Sequence, residues 1–153
     1  EAACKAALTQ AEWPARLQRL RHGPLVEAAA GCEVWLDGGH NAGAGLALAE
    51  AVGRLPNRPL ALVCGMLNTK DIKGYLRPLA AVANQLVALS IPGEANTLPA
   101  DVTAAAAVEV GLKSSTAPDA ETAIRAIATA QPGARILICG SLYLAGNVLR
   151  DNG

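Results

Sequence analysis

The sequence predicts an α/β domain built on a mostly parallel sheet with helices on both faces. From residue 33 onward, short apolar runs of strand length alternate with segments whose apolar residues recur at helical spacing. Two of the runs, 59–64 and 135–140, are continuously apolar in their interior, which is typical of strands covered on both faces. With 153 residues, of which 52% are hydrophobic, the chain is long enough for one domain with a sizeable core.

The beginning of the chain predicts a small β-ribbon at the N-terminal edge of this domain. Residues 15–21 alternate apolar and polar side chains, as a half-buried strand does. A turn over 22–24, which contains Gly and Pro, then leads into Leu25 and Val26 as the second strand of the ribbon.

The rest of the chain predicts strands and helices whose ends carry local signals. Asn41 and Asp71 are candidate N-caps of the helices that follow them, and Gly111 is a candidate helix stop. In order, the predicted elements are strand 34–36, helix 42–54, strand 59–64, helix 72–77 with a further helical piece at 78–83, strand 85–91, helix 100–110, edge strand 114–117, helix 119–130, strand 135–140 and helix 142–149.

Charge and composition exclude several classes of function. Thirteen basic and thirteen acidic residues cancel, so no basic field exists to bind nucleic acid or an anionic membrane. No apolar run approaches the roughly 20 residues that span a bilayer, and no signal peptide opens the chain, so we expect a cytoplasmic protein. The four cysteines contain no Cys-x-x-Cys pair, which argues against a zinc site. Because the chain begins with Glu1 in an alanine-rich stretch, we expect it to be a fragment of something longer.

One dense polar cluster lies where a ligand would be expected. Asp37, His40 and Asn41 follow the predicted strand 34–36 and precede the predicted helix 42–54. In open α/β sheets, ligands sit in the crevice at the carboxyl ends of the strands, where backbone N–H groups and a helix N-terminus point. Each residue also has a structural reading, because Asp-Gly is an ordinary turn dipeptide and a histidine can simply hydrogen-bond within the turn.

The common phosphate-binding and nucleophile motifs are absent. Gly43-Ala44-Gly45 opens a helix after a strand, but the third glycine of G-x-G-x-x-G falls on Leu48. No G-x-x-x-x-G-K-[S/T] loop exists, and no serine lies in a G-x-S-x-G elbow. The chain by itself therefore predicts neither an NAD site nor a hydrolase. It could contact a nucleotide but could hardly bind one without further phosphate-binding groups.

Four segments, in this order, resemble motifs of the C-terminal third of the folylpolyglutamate synthase and dihydrofolate synthase family, a branch of the Mur ligase superfamily. They are Trp-Pro-Ala-Arg-Leu-Gln at 13–18, Leu-Asp-Gly-Gly-His-Asn at 36–41, Gly-Met-Leu-Asn-Thr-Lys-Asp at 65–71 and Ile-Cys-Gly-Ser-Leu-Tyr-Leu-Ala-Gly at 138–146. The resemblance covers nearly the whole chain from Trp13. Four motifs in the correct order are far more specific than any one of them.

The resemblance implies a Rossmann-like, three-layer glutamate ligase domain over residues 13–153. Residues 1–12 would then be the end of an interdomain segment, and an N-terminal ATPase domain carrying the phosphate loop and the Mg²⁺ ligands would lie outside this chain. In such an enzyme ATP phosphorylates the carboxylate of dihydropteroate or a folate, and the amino group of L-glutamate captures the acyl phosphate. The partners implied are the chain's own ATPase domain, L-glutamate and the folate or dihydropteroate. We expect a monomer and an isolated fragment without activity.

The same resemblance assigns four residues to ATP and none to catalysis or to a metal. Arg16 and Asp37 match the family's ATP contacts from this domain, and His40 and Asn41 match positions that line the nucleotide cleft. An arginine can offset phosphate charge, while an aspartate at a strand end can accept from a ribose hydroxyl or orient that arginine.

Four further residues have less specific roles. Lys70 and Asp71 match a loop at the interdomain face, with an ordinary solvated ion pair as the alternative. Ser141 and Tyr143 follow the last strand and are candidates to approach glutamate or folate.

The chain departs from the family pattern at four positions, Ala15, Gly39, Ala42 and Thr69. The first three are changes within turns or exchanges of one small residue for another, so they leave the expected fold unchanged. Thr69, in contrast, removes a charge. Two alternatives stay open: a stand-alone nucleotide-binding or interaction module, and a Mur-type ligase for another acid. Residues 140–146 argue against the second alternative because they resemble the folate branch more closely.

Overall fold

The computed structural model describes residues 16–152, which form a six-stranded sheet with helices on both faces. The strands are β1 (Gln18–Leu20), β2 (Glu33–Leu36), β3 (Leu60–Cys64), β4 (Gln85–Ala88), β5 (Lys113–Thr116) and β6 (Arg135–Cys139). The helices are α1 (Pro24–Ala28), α2 (Ala42–Gly53), α3 (Ile72–Ala80), α4 (Ala100–Glu109), α5 (Ala120–Ala130) and α6 (Leu142–Asn152). The predicted α/β architecture is confirmed.

The sheet order brings three strand ends together at one edge. The order is β1-β2-β6-β3-β4-β5, with β1 antiparallel to β2 and every other pair parallel. Leu36 pairs with Ile138, and Cys64 pairs with Cys139, so β2, β6 and β3 end side by side. The loops after these strands therefore share the carboxyl edge, where ligands bind in open parallel sheets.

The core consists of two apolar layers, one on each face of the sheet. One layer packs α1, α5 and α6 against the sheet, and the other packs α2, α3 and α4. Every residue of β3 and β6 is buried, as the continuous apolar runs predicted. With no phenylalanine in the chain, helices come close through small residues. Gly45 of α2, for example, packs directly against the backbone of Tyr75 in α3, so a Cβ there would overlap the carbonyl oxygen.

The N-terminal ribbon is only partly as predicted. β1 is an antiparallel edge strand, but its partner is β2, and Leu25 and Val26 lie in helix α1 rather than in a second ribbon strand. Pro24 explains the difference, because it occupies the first helical position, where its fixed φ suits a helix and its missing N–H costs nothing.

Three other elements differ from the prediction by more than one residue. Helix α3 continues through Pro78 to Ala80 as one helix, because packing of its buried face outweighs the hydrogen bond that proline removes. Strand β4 ends at Ala88, and helix α6 reaches Asn152. None of the described helices is long and apolar enough to cross a membrane.

Candidate functional site

A cavity of about 440 Å³ opens at the carboxyl edge of the sheet, beside the N-terminus of α2. All four residues that the sequence assigns to a nucleotide line it. The lining consists of Arg16, Leu17, Asp37, Gly38, Gly39, His40, Asn41, Ala44, Ala47, Leu48, Ala51 and Leu142. Trp13, Pro14 and Ala15, which belong to the first motif, lie outside the described residues.

Asp37 connects the backbone segments that border this cavity. Its N–H continues the β2–β6 ladder by donating to the Ile138 carbonyl at 2.9 Å, which fixes the residue at the strand end. Its side chain is 9% exposed. One carboxylate oxygen, Oδ1, accepts from the N–H of Leu17 at 2.9 Å, and the other, Oδ2, accepts from the N–H of Gly39 at 2.9 Å. A single carboxylate thus holds the start of β1 and the turn after β2 in one arrangement.

The backbone at Leu17 is strained, and Asp37 is the group that holds it. Leu17 has φ of 41°, in the left-handed region that side chains other than glycine rarely adopt. Arg16, immediately before it, is exposed and makes no ion pair with any acid among residues 16–152. Its guanidinium is therefore available to an anion in the cavity.

Gly39 is required by the same arrangement. A Cβ at this position would lie 2.9 Å from Oδ2 of Asp37 and 2.8 Å from the Cβ of Ala44, closer than real Cβ atoms come. This crowding gives a physical reason for the glycine, where the resembled family often has alanine.

Asn41 and His40 complete the wall at the N-terminus of α2. Asn41 is extended and its Oδ1 accepts from the N–H of Ala44 at 2.8 Å, so it is the N-cap that the sequence predicts. Nδ1 of His40 lies 3.3 Å from the Gly38 carbonyl oxygen. Because a carbonyl can only accept, this contact requires the proton on Nδ1 and leaves Nε2 of the neutral ring as an acceptor.

A second cavity of about 190 Å³ adjoins the first and shares His40 and Leu142 with it. Lys70, Ser141 and Tyr143 line it. The approach of Ser141 and Tyr143 to glutamate or folate stays a prediction. The hydroxyl oxygen of Ser141 accepts from the N–H groups of Tyr143 at 3.0 Å and Leu144 at 3.4 Å, so Ser141 caps α6 and is almost completely buried. Tyr143 is exposed.

Asp71 does not line either cavity. Its carboxylate accepts from the N–H of Gly74 at 3.0 Å and caps α3, the structural role that the sequence predicts. Within the described part of the chain Asp71 and Lys70 form no ion pair. An interdomain role for both residues stays a prediction.

A buried phenol and two thiols lie in the core near the site. Tyr75 is completely buried, and its hydroxyl has no hydrogen-bond partner among the described residues. Burial, together with nearby Cys139, Cys64 and Asp37, raises the pKa of Tyr75 well above its ordinary value. The contact with Cys64 and burial likewise raise the pKa of Cys139. Tyr75 and Cys139 are therefore neutral packing groups rather than nucleophiles.

Potential metal ligands do not cluster in the part of the chain that the structure describes. Residues 16–152 contain no group of three or more His, Cys, Asp or Glu side chains placed to hold a metal ion.

Two contributors to the site are not among the residues that the sequence assigns to it, although both lie within the quoted motifs. Leu17 lines the larger cavity in a left-handed backbone conformation, which the residue type leucine does not predict. Leu142 forms the wall shared by both cavities. Neither can be identified without the positions of Asp37 and of the N-terminus of α6.

The fold and the site define a Rossmann-like α/β domain with a polar crevice at the carboxyl edge of its sheet, the edge where ligands bind in open parallel sheets. Residues 16–142 match the family model described as Mur ligase, glutamate ligase domain. The chain therefore belongs to the Mur ligase family as its glutamate ligase domain, which confirms the resemblance seen in the four motifs. Comparison with curated protein sequences gives no significant match.

Solved structures of folylpolyglutamate synthases share the fold. The Mycobacterium tuberculosis enzyme complexed with ADP and AMPPCP is 29% identical, with a TM-score of 0.78, over 97% of this chain and 34% of that one. The bifunctional folylpolyglutamate synthase/dihydrofolate synthase from Yersinia pestis is 23% identical, with a TM-score of 0.77, over 98% of this chain and 34% of that one. A bifunctional synthase with Mn, AMPPNP and L-glutamate bound is 24% identical, with a TM-score of 0.72, over 92% and 32%. The chain thus spans about a third of the length of these proteins.

Proposed function

We propose that this chain is the C-terminal domain of an ATP-dependent ligase that adds L-glutamate to dihydropteroate, to folates, or to both. The domain supplies one wall of a cleft whose other wall, an N-terminal ATPase domain, brings the phosphate loop and the Mg²⁺ ligands. Carboxylate oxygen attacks the γ-phosphorus of ATP and ADP leaves. The amino group of glutamate then attacks the acyl phosphate carbon, phosphate leaves, and the nitrogen loses a proton.

The observation that carries this proposal is the convergence of Arg16, Asp37, His40 and Asn41 on one cavity at the carboxyl edge. These residues come from two motifs separated by eighteen residues or more in the sequence, and Asp37 joins the two segments through backbone hydrogen bonds.

The chemistry of this wall suits a nucleotide. Arg16 can neutralise phosphate charge with a planar donor fork, and the nearby N-terminus of α2 adds a favourable dipole for an anion. Each Asp37 oxygen accepts one backbone N–H, so lone pairs remain that can accept from ribose hydroxyls. The Mycobacterium tuberculosis relative was crystallised with ADP and AMPPCP, which supports a nucleotide as the ligand.

The adjoining smaller cavity suits the incoming amino acid or the end of the folate. Lys70 offers a positive charge and Tyr143 a hydroxyl at its rim, while Ser141 is held in place by its capping bonds. The shared residue His40 would keep the two ligands next to each other, as a reaction between an acyl phosphate and an amine requires.

The isolated domain should bind ligands weakly and should not catalyse. Phosphoryl transfer depends on charge neutralisation and positioning of the phosphates, and the described residues provide neither a phosphate loop nor a metal site. ATP and a divalent metal would act in the assembled two-domain cleft.

The test measures ATP-dependent addition of glutamate to dihydropteroate and to tetrahydrofolate by the full-length protein that contains this domain. Asp37→Ala and Arg16→Gln are compared with wild type. We expect both to lower kcat/KM by roughly tenfold or more, since each removes a charge-assisted contact.

Arg54→Gln is the matched control, because Arg54 is an exposed arginine at the end of α2, away from both cavities. It should retain wild-type activity. No glutamate addition to either acceptor would overturn the ligase and favour a binding module. If neither Asp37→Ala nor Arg16→Gln changes glutamate addition, the ligase proposal stands but nucleotide binding in this cavity is contradicted.

A further inference from the structure

A cavity of about 360 Å³ lies at the amino edge of the sheet and shares no residue with the two cavities at the carboxyl edge. Its charged lining consists of Arg58, in the loop that leads into β3, and Arg135, the first residue of β6. Cys139 is the last residue of β6. Four steps along this strand, at about 3.3 Å each, separate the amino-edge cavity from the carboxyl edge by about 13 Å.

Arg135 is a buried cation whose hydrogen-bonding capacity is mostly unused. Its side chain is 3% exposed, and a guanidinium carries five N–H donors. Among residues 16–152 only its Nε has an acceptor, the Oε1 atom of Glu33 at 3.0 Å. The two terminal nitrogens have no acceptor there, and unlike the Tyr75 hydroxyl neither is fully enclosed, so both reach the accessible space of the cavity. Because buried donors are nearly always hydrogen-bonded, this fork is suited to an anionic acceptor in the cavity.

The charges that line this cavity do not balance. Arg58 and Arg135 carry two positive charges, and Glu33 pairs with both of them, at 2.9 and 3.0 Å. No other ion pair among residues 16–152 involves either arginine. Nη1 of Arg58 also donates to the Gly133 carbonyl oxygen at 3.2 Å, which fixes this guanidinium at the rim. One unit of positive charge is left over, so a bound monoanion would make the cluster neutral.

The C-terminal end of α2 borders the cavity and does not cancel this surplus. The last carbonyls of a helix carry partial negative charge, about half an elementary charge in total. Here the carbonyls of Ala51 and Val52 accept from the N–H groups of Arg54 and Leu55 at 3.2 and 3.0 Å. The surplus guanidinium charge is larger than the helix dipole and lies closer to the free fork, so the cavity still favours an anion.

Most of the remaining wall of the cavity is apolar. It consists of Val52, Leu55, Pro56, Leu60 and Val82. Val82 is 38% exposed, so a ligand lying against it would remove apolar surface from water. The volume lies within the range of small-molecule sites, about 300–1,000 Å³. A guanidinium fork beside an apolar wall is suited to a carboxylate that carries a short hydrocarbon body.

We propose that this amino-edge cavity binds a small organic monocarboxylate. Its carboxylate accepts from the terminal N–H groups of Arg135 in the paired, parallel geometry that guanidinium allows, and its apolar body lies against Val82 and the end of α2. The site goes beyond the proposed ligase function and does not depend on it, since it uses none of the residues of the carboxyl-edge cavities. Because the ligand binds only the folded state, its presence also stabilises the domain by mass action.

The first experiment titrates hexanoate into this chain at neutral pH and follows backbone amide shifts by NMR. We expect shifts at residues 52–60 and around Val82 and Arg135, and an unfolding temperature that rises with the hexanoate concentration. Arg58→Gln, at a side chain that is 40% exposed, should raise the Kd about fivefold, the size expected for one lost ion pair at a partly exposed site.

Arg125→Gln is the matched control for the loss of charge. Arg125 is also an exposed arginine paired with a glutamate, but it lies on α5 and does not line the cavity. Its substitution should leave the Kd for hexanoate unchanged. The unfolding midpoint of each variant, compared with wild type, identifies any loss of structure.

Two further ligands separate the parts of the proposed site. Hexanol has the apolar body without the charge, and inorganic phosphate has the charge without the apolar body. Both should bind about tenfold more weakly than hexanoate, since each lacks one set of contacts. Val82→Glu adds a like charge to the exposed wall and should abolish hexanoate binding. Arg135→Lys keeps the charge but removes the fork, and it should also raise the Kd.

Absent shifts at the amino edge, equal binding of hexanol, or equal weakening by Arg125→Gln would overturn the proposal. Binding of phosphate as tight as that of hexanoate would overturn an organic carboxylate as the ligand. If Arg135→Lys fails to fold, Arg58→Gln and Val82→Glu still decide, because both change exposed positions. Failure of the ligase assay would leave this titration unaffected, and failure of the titration would leave the ligase proposal standing.

Discussion

Asp37 shows how one side chain can build a site without itself being free to react. Both of its oxygens accept backbone N–H groups, one from Leu17 and one from Gly39, so its position depends on two turns and they depend on it. Arg16 gains its place at the cavity from the first of these turns. Asp37 therefore has a structural role in addition to the nucleotide contact proposed for it.

We expect Asp37→Asn to destabilise the domain by about 1–3 kcal/mol, because an amide keeps one acceptor and turns its NH₂ toward a backbone N–H. Urea unfolding of this chain measures the change in the free energy of unfolding. Asp101→Asn, at an exposed acid of α4, is the control and should stay within about 0.5 kcal/mol of wild type. An unchanged stability in Asp37→Asn would contradict the double hydrogen bond.

For Tyr75 we expect a change in the free energy of unfolding of the opposite sign. Its hydroxyl is fully buried without a hydrogen-bond partner among the described residues, so removing it should relieve a desolvated polar group. Tyr75→Phe should leave the stability unchanged or raise it by about 1 kcal/mol, as measured by urea unfolding. A loss of more than that would mean that the hydroxyl has a partner, such as an ordered water.

At the residue scale, the sequence identifies chemistry better than conformation. Asp37, His40, Asn41 and Ser141 follow strands and are polar, so position and residue type alone mark them as candidates. Leu17 could not be found this way, because its left-handed backbone depends on a carboxylate twenty residues away along the chain.

Helix α1 shows what decides an element that is short and weakly patterned. Its sequence offers Pro24 as a helix start but only five residues of helix, and Gly23 at its N-cap has no side chain with which to cap it. Asn152 of α6 replaces that cap: its Oδ1 accepts from the N–H of Leu25 at 2.9 Å, and its Nδ2 donates to the His22 carbonyl. No local signal encodes this contact, so the segment could not be distinguished from a second ribbon strand by sequence alone.

Removing the Asn152 side chain, with which α6 caps α1, should therefore destabilise α1. Asn152→Ala leaves the buried N–H of Leu25 without a partner, and we expect a loss of about 1–3 kcal/mol in the free energy of unfolding. Relative to wild type, the rate of hydrogen exchange in this variant should increase more at residues 24–28 than in β3 or β6. Asn57→Ala, at an exposed asparagine, is the control for the change in residue type. Uniform acceleration over the whole sheet would contradict a local cap.

The long, continuously apolar strands are the elements that the sequence predicts well. β3 and β6 match the runs at 59–64 and 135–140 because a strand buried on both faces has an apolar interior. The buried charge of Arg135, at the start of β6, is paired with Glu33. The bounds of α3 and α6 differ because packing against the sheet, rather than local breakers, sets where those helices end.

At the scale of the whole molecule, the carboxyl and amino edges of the sheet differ in how their charges are compensated. The carboxyl edge holds both cavities of the candidate site with Arg16 and Lys70, which make no ion pair with acids of residues 16–152. The amino edge carries a charge cluster that Glu33 compensates in part. There Glu33 accepts from the indole Nε1 of Trp35 at 2.9 Å and from Nε of Arg135 at 3.0 Å, and its other oxygen lies 2.9 Å from Nε of Arg58. Sequence alone predicts the polarity of the first edge from its motifs, but the second edge joins residues 102 positions apart and has no motif.

This cluster predicts how stability depends on pH. Burial acts to raise the pKa of Glu33, but hydrogen bonds from Trp35 and Arg135 and the charges of Arg135 and Arg58 more than offset it, so the pKa lies below its ordinary value of 4.5. A carboxyl whose pKa is lower in the folded state stabilises the fold above its unfolded pKa, and this contribution is lost as the pH falls through the folded pKa. Wild type should therefore lose stability as the pH is lowered from about 5.

Glu33→Gln tests this dependence directly. At pH 7 it leaves Arg135, which is 3% exposed, without its anionic partner, and we expect a loss of about 3–5 kcal/mol in the free energy of unfolding. Below the folded pKa the wild-type residue is itself protonated, so the difference between wild type and variant should shrink as the pH falls. Urea unfolding of both proteins between pH 3 and about 7 measures it. Glu121→Gln removes the acid of an exposed pair with Arg125 and should cost less than about 1 kcal/mol at any pH. A constant gap between wild type and Glu33→Gln over the whole range would mean that the charge of Glu33 does not hold the amino edge together.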